Sequence, residues 1–275
     1  MIRFDEMGSI LKKIRSLHTN EILLISSCDD INQKTMSTLK AGRIFDVKHL
    51  RDKVRVFTSR EHAGRILAGM LDAYRKTDTV VLAIPSGGVP VGVALAEHLH
   101  LPLDVAVVSK ITLPWNSEAG YGAVAFDGTV RINEELLPAL QLTEMQTSEG
   151  LEKTRQKVAR RVLKFREHIP MPHLGGRNAI LVDDGLASGF TLLVAVAAVR
   201  RMCPEKLVVA VPTGSAERLP KVAREVDGLY CANVRGGWSF AVAEAYEQWF
   251  DLDEEDAVQM VRAYQKRFEQ SRIGP

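Results

Sequence analysis

The chain has 275 residues, of which 46% are hydrophobic and 25% charged, the balance of one large globular domain or of a domain with an appendage. A formal net charge of +2 gives no basis for a nucleic-acid partner, and no apolar run reaches the ~20 residues of a membrane helix. Met1 to Ser9 is mixed and charged, unlike a secretory leader, and Cys28, Cys203 and Cys231 stand at no metal-ligand spacing. These features point to a cytoplasmic protein with no membrane partner.

Residues 1–50 carry no chemical motif and are read as an N-terminal extension, either a docking layer, a hood or a dimerisation arm. Ile10, Leu11, Ile14 and Leu17 have helical spacing, Glu21 to Ser27 reads as a strand and Ile31 to Lys40 as a helix. The pattern sharpens in the second region, 51–275. Thr58-Ser59-Arg60-Glu61 resembles a capping box, and Ile66, Leu67, Met70, Leu71 and Tyr74 make an apolar stripe ending near Arg75.

Thr79 to Ile84 predicts a strand running into the turn Pro85-Ser86-Gly87-Gly88-Val89-Pro90. A helix over Val91 to His98 and a strand over Asp104 to Ser109 would complete a βαβ unit. Thr112 to Gly128 is glycine-rich and holds Trp115 and Tyr121. It reads as a hairpin pairing Ala123–Phe126 with Thr129–Ile132 and packing Trp115 and Tyr121 on the sheet. Helices are expected over Asn133–Leu140 and Glu149–His168. In the second, Leu151, Val158, Val162 and Phe165 mark the buried side, and Lys153, Arg155, Lys157, Arg160, Arg161, Lys164 and Arg166 form a solvated basic face.

The most informative stretch is Asn178 to Arg200, an apolar strand ending in Asp183 and Asp184, a loop of small residues, and an apolar helix. Parallel strands deliver such residues to the carboxyl edge where open α/β sheets bind ligands, and two adjacent acceptors suit a vicinal diol. Gly185 to Thr191 has the makings of an anion cradle. Its glycines permit unusual backbone, Ser188 and Thr191 add hydroxyls, and the helix start near Thr191 contributes unpaired N–H groups. No lysine precedes the Ser/Thr as in a Walker loop, and G-x-G-x-x-G is absent. Beyond it, strands are expected at Leu207–Val211 and Gly228–Val234, with a final helix over Asp253–Gln270. Three aromatics lie in Ala245 to Phe250.

The run I-L-V-D-D-G-L-A-S-G-F-T resembles the ribose-5-phosphate loop of the type I phosphoribosyltransferases, which use phosphoribosyl pyrophosphate (PRPP). The resemblance implies a three-layer α/β/α fold with a mostly parallel sheet and one antiparallel strand. It implies that Asp183 and Asp184 hold the ribose hydroxyls and that Gly185, Leu186, Ala187, Ser188, Gly189 and Thr191 hold the 5-phosphate. Ser86, Gly87, Gly88 and Lys110 would bind pyrophosphate, with Asp183, Asp184 and Lys110 as the catalytic set. Mg²⁺ would be carried on ligand oxygens, with no direct protein ligands.

The partners implied are PRPP and a small-molecule nitrogen acceptor, with Trp238 and Phe240 as candidates for stacking on its ring, in a homodimer. The turn is similar to that of a group reading Pro-Arg-Gly-Gly-Val-Pro, with Ser86 in place of the arginine, so one gripping charge is missing. Two readings therefore stand: a transferase, and a non-catalytic module that senses PRPP or a nucleotide.

Overall fold

The computed structural model describes residues 43–167, 169–237 and 239–273. The expectations for residues 1–42 and for Trp238 lie outside the described residues. In chain order the elements begin with β1 (Arg43–Asp46), α1 (Arg60–Met70), β2 (Thr79–Ala83), α2 (Gly88–Leu99) and β3 (Leu103–Val105). An excursion follows: β4 (Val108–Leu113), β5 (Asn116–Ala125), β6 (Val130–Ile132), the short α3 (Leu137–Leu140) and the long α4 (Glu144–Arg166). The chain then runs through β7 (Asn178–Val182), α5 (Phe190–Arg200), β8 (Lys206–Ser215), α6 (Leu219–Ala223), β9 (Gly228–Arg235) and α7 (Glu254–Ile273).

Six strands form a parallel sheet in the order β1-β9-β8-β7-β2-β3. Side chains alternate across a strand, and the two cores follow that period. Val81, Ala83, Ile180, Val182, Val208 and Ala210 join one core with Leu67 of α1, Leu95 of α2 and Tyr264 of α7. Val80, Leu82, Ala179, Leu181, Val209 and Val211 join the other, with Leu193, Val194 and Val199 of α5 and Val222 of α6. The result is the expected three-layer α/β/α architecture. No helix among the described residues is long and apolar enough to cross a membrane.

From β2 the chain moves outward to β3, and from β7 it moves the opposite way to β8 and β9. The carboxyl ends of β2 and β7 are thus the switch point of the sheet, where such folds open a crevice. Both candidate turns start there.

Several boundaries differ from the sequence reading. Ser59, not Thr58, caps α1, its hydroxyl accepting from the His62 N–H at 3.3 Å. α2 starts at Gly88, ahead of the expected Val91, because Pro90 falls in the first turn, where its missing N–H is no loss. Residues 104–109 are not one strand: the chain leaves the main sheet after Val105, and β4 opens a three-stranded antiparallel sheet with β5 and β6. The antiparallel element is therefore this separate sheet, not a single strand of the main one. Within it Tyr121 is buried, whereas Trp115 is exposed. β8 extends through Pro212 to Ser215. Its ladder to β7 stops at Val182↔Ala210 while β9 still pairs with it at Thr213↔Asn233, so a proline costs no bond on the vacated side. α4 begins earlier than expected, at Glu144, under a Thr143–Gln146 capping box. Residues 43–46, within the N-terminal extension as read from sequence, pair with β9.

Candidate active site

The two turns at the switch point are packed against each other. The Ile84 N–H donates to the Val182 carbonyl at 2.8 Å, tying the end of β2 to the end of β7. A Cβ on Gly87 would lie 2.1 Å from Asp184 Oδ2, and one on Gly88 would lie 2.8 Å from the Val182 carbonyl oxygen. Only glycine admits that approach. The backbone amides of this turn are partly committed: the Gly88 N–H donates to Ile84 at 3.0 Å and the Val89 N–H to Ser86 at 3.1 Å.

The two acids face different surroundings. Asp184 accepts from Arg60, whose Nε and Nη2 both lie 3.0 Å from Oδ2. Arg60 is 6% exposed, donates from Nη1 to the Phe250 carbonyl at 2.9 Å, and stacks 3.9 Å from the Trp249 ring centroid. The Tyr246 hydroxyl donates to the Asp184 backbone carbonyl at 2.6 Å. Backbone bonds between Phe57 and Ala245 and between Glu247 and Phe57 hold this aromatic segment against the start of α1.

Burial raises the Asp184 carboxyl above the ordinary range, and the Arg60 guanidinium opposes that rise. Asp183 is pushed further up, first by burial and then by the charge of Asp184, with Arg60 and Lys110 pulling the other way. The Asp184 N–H donates to Asp183 Oδ1 at 2.9 Å.

A cavity of about 410 Å³ opens on the Asp183 side. Asp183, Gly185 to Gly189, Thr191 and Lys110 line it, so the structure gathers most of the residues expected for a sugar phosphate into one concavity. The loop is fixed from below, the Leu186 N–H donating to Thr213 at 2.9 Å and the Ser215 N–H to Leu186 at 3.0 Å. Gly189, at φ +71°, makes the left-handed step into α5, and Ala187 and Ser188 are exposed at the tip.

Asp184, Ser86, Gly87 and Gly88 do not line this cavity, although their neighbour Pro85 does; Gly87 packs on Asp184, the partner of Arg60, and Gly88 packs on Val182 and Asp183. Phe240 is not among the lining residues; its ring lies 5.3 Å from the Arg235 guanidinium.

Four residues here were given no site role from the sequence: Arg60, read as part of a cap, Tyr246, one of three clustered aromatics, and Lys157 and Arg161, read as part of a solvated face. The last two line the cavity from α4, and their spacing of four within a basic helix was the available signal. Arg60 and Tyr246 gave none, since their contacts to Asp184 span 124 and 62 residues.

No family model matches the chain. Two Mycobacterium tuberculosis proteins, from strains H37Rv and CDC 1551, named "Putative phosphoribosyl transferase" Rv0571c and MT0597, are each 32% identical to it over 205 residues. The match covers 74% of this chain and 46% of each relative, so the chain spans about half the length of the curated relatives it matches. The crystal structure of TT1426 from Thermus thermophilus is similar at a TM-score of 0.61 and 29% identity, over 76% of this chain and 98% of that one. These relatives, with paired acids and a glycine loop at the switch point of a parallel sheet, support a type I phosphoribosyltransferase-like family for the chain.

Proposed function

We propose that the protein is a PRPP-dependent phosphoribosyltransferase, passing ribose 5-phosphate to a nitrogen of a small heterocyclic acceptor and releasing pyrophosphate. The observation that carries this reading is the single cavity joining Asp183, the Gly185–Thr191 loop and Lys110. The loop offers hydroxyls and a helix N-terminus to the 5-phosphate, Asp183 an acceptor to the ribose, and Lys110 a cation to the diphosphate.

In the reaction the bond from ribose C1 to the diphosphate oxygen breaks, its electron pair leaving with the diphosphate, and the acceptor nitrogen forms the new bond. Catalysis then rests on stabilising leaving-group charge, positioning and water exclusion, with no covalent nucleophile required. The antiparallel sheet of β4 to β6 stands beside the cavity and would supply the cover.

The family's Mg²⁺ would be carried on ligand oxygens. Among the described residues no group of three His, Cys, Asp or Glu could hold a metal, and the cavity offers one carboxylate, Asp183, as a hard donor. The ion would neutralise charge on the departing diphosphate. The homodimeric, cytoplasmic state belongs to the same proposal and is read by light scattering and cell fractionation.

A second reading, a sensor of PRPP or a nucleotide, is favoured by Ser86 and by the internally bonded amides of its turn. Pyrophosphate release from PRPP with a panel of purine, pyrimidine and nicotinate-type acceptors separates the two. Turnover on any acceptor supports the transferase, and PRPP binding without turnover supports the sensor.

A further inference from the structure

With Ser86 in the turn, the diphosphate end of the ligand lacks a guanidinium, and the fold brings other cations to the same wall. Lys157 and Arg161, four residues apart, share one face of α4, and both line the cavity together with Pro85, Ser109 and Lys110. Their situations differ. Arg161 is nearly buried, pairs through Nε with Glu254, and donates from Nη1 to the Val108 carbonyl at 3.1 Å and to Ser109 Oγ at 3.3 Å. Its Nη2 donates to the Pro85 carbonyl at 3.1 Å.

The Arg161 charge is thus neutralised by Glu254, while its donors tie the turn after β2 to the strand that carries Lys110. Lys157, one helical turn earlier, is exposed and forms no ion pair among the described residues. A lysine of this kind is a mobile point charge suited to a phosphate.

The geometry points to Lys157 as a direct ligand of the diphosphate group, acting with Lys110 in place of the arginine that position 86 lacks. Arg161 is the positioning residue that holds the turn and β4 together for it. The inference rests on the PRPP reading above. It assigns the binding role to a helix outside both sequence motifs, and it explains how a turn with serine serves a polyanion.

The test is calorimetric titration of the full chain with three probes in the presence of Mg²⁺: PRPP, inorganic pyrophosphate and ribose 5-phosphate. Lys157→Gln is expected to weaken pyrophosphate and PRPP roughly tenfold, the scale of one charge-assisted contact, and to leave ribose 5-phosphate unchanged. Adding Ser86→Arg to that variant is expected to restore part of the loss. Arg161→Lys keeps the charge and loses the fork. It is expected to weaken pyrophosphate while ribose 5-phosphate binding, which a general loss of structure would also remove, persists.

Pyrophosphate affinity within twofold of the parent in Lys157→Gln, with ribose 5-phosphate still bound, overturns the inference alone. A parent protein that binds neither ribose 5-phosphate nor PRPP overturns the functional reading and this inference with it.

Discussion

Replacing Arg60 by methionine keeps most of the side-chain stem and removes the guanidinium that pairs with Asp184. The loss can be sized from its contacts. Arg60 is 6% and Asp184 17% exposed, so the variant leaves a carboxylate enclosed beside Gly87 with no cation, a change that costs about 3–5 kcal/mol in comparable buried pairs. The Phe250 carbonyl loses its donor and Trp249 its cation, at about 1 kcal/mol each. Protonation of Asp184 offsets part of this, because burial already holds its carboxyl above the ordinary range.

The sign of the pH dependence follows from that shift. Below the ordinary carboxylate range Asp184 is neutral in folded and unfolded chains alike, so the electrostatic part of the penalty is absent. As pH rises through the raised folded value, the parent ionises beside Arg60 while the variant ionises beside nothing, and the penalty grows. Urea unfolding followed by circular dichroism is expected to give a loss of about 3–5 kcal/mol near neutrality and a much smaller one below pH ~4. In a cycle with Asp184→Asn, the coupling is expected at about 1–3 kcal/mol. A loss under ~1 kcal/mol at neutrality, additive with Asp184→Asn, would refute the claim that Arg60 sustains this carboxylate.

Three further outcomes are expected. Gly87→Ala should lower stability by about 1–3 kcal/mol and abolish PRPP binding. Gly87 has φ −58° and ψ −37°, so the effect is the 2.1 Å clash with Asp184 and not backbone strain; unfolding curves and calorimetry report it. Tyr246→Phe removes the 2.6 Å bond to the Asp184 carbonyl and should cost about 1 kcal/mol in the same unfolding assay. For Asp183, whose folded pKa is raised, the parent should lose stability as pH climbs from the ordinary carboxylate range through that raised value. Asp183→Asn should flatten this dependence in a series of unfolding midpoints while losing affinity for ribose 5-phosphate.

What the sequence disclosed and what it concealed follow from sequence distance. The strand, the acids and the phosphate-sized loop lie within Asn178–Thr191, so local pattern alone placed them, and the cavity gathers Asp183 with the loop. Local pattern also placed the turn at Gly87 and Gly88, and the Cβ clashes there show why glycines are needed. It did not foresee that the two acids have different neighbours, because Asp184 pairs with Arg60, 124 residues away on another helix.

The basic residues of α4 were read as a solvated face. That description fails at Arg166, buried against Asp104 at 2.9 Å, and at Arg161, which braces the turn. A helix's partners are set by the sheet it packs on, and β4 leaves the main sheet for reasons no local signal records. Pro90 and Pro212 misled for a simpler cause. Each was read as an element boundary, and each occupies a position whose missing N–H costs nothing.

In the proposed function, the cavity beside Asp183 receives PRPP by its ribose-phosphate half. The most direct measurement is displacement calorimetry on the full chain with Mg²⁺: PRPP in the parent and in Asp183→Asn, then PRPP into protein saturated with ribose 5-phosphate. The expected result is one site per chain, competition between the two ligands, and strongly weakened binding in the variant. PRPP that fails to bind at millimolar concentration, or that binds equally well to Asp183→Asn and to the ribose 5-phosphate complex, would contradict it.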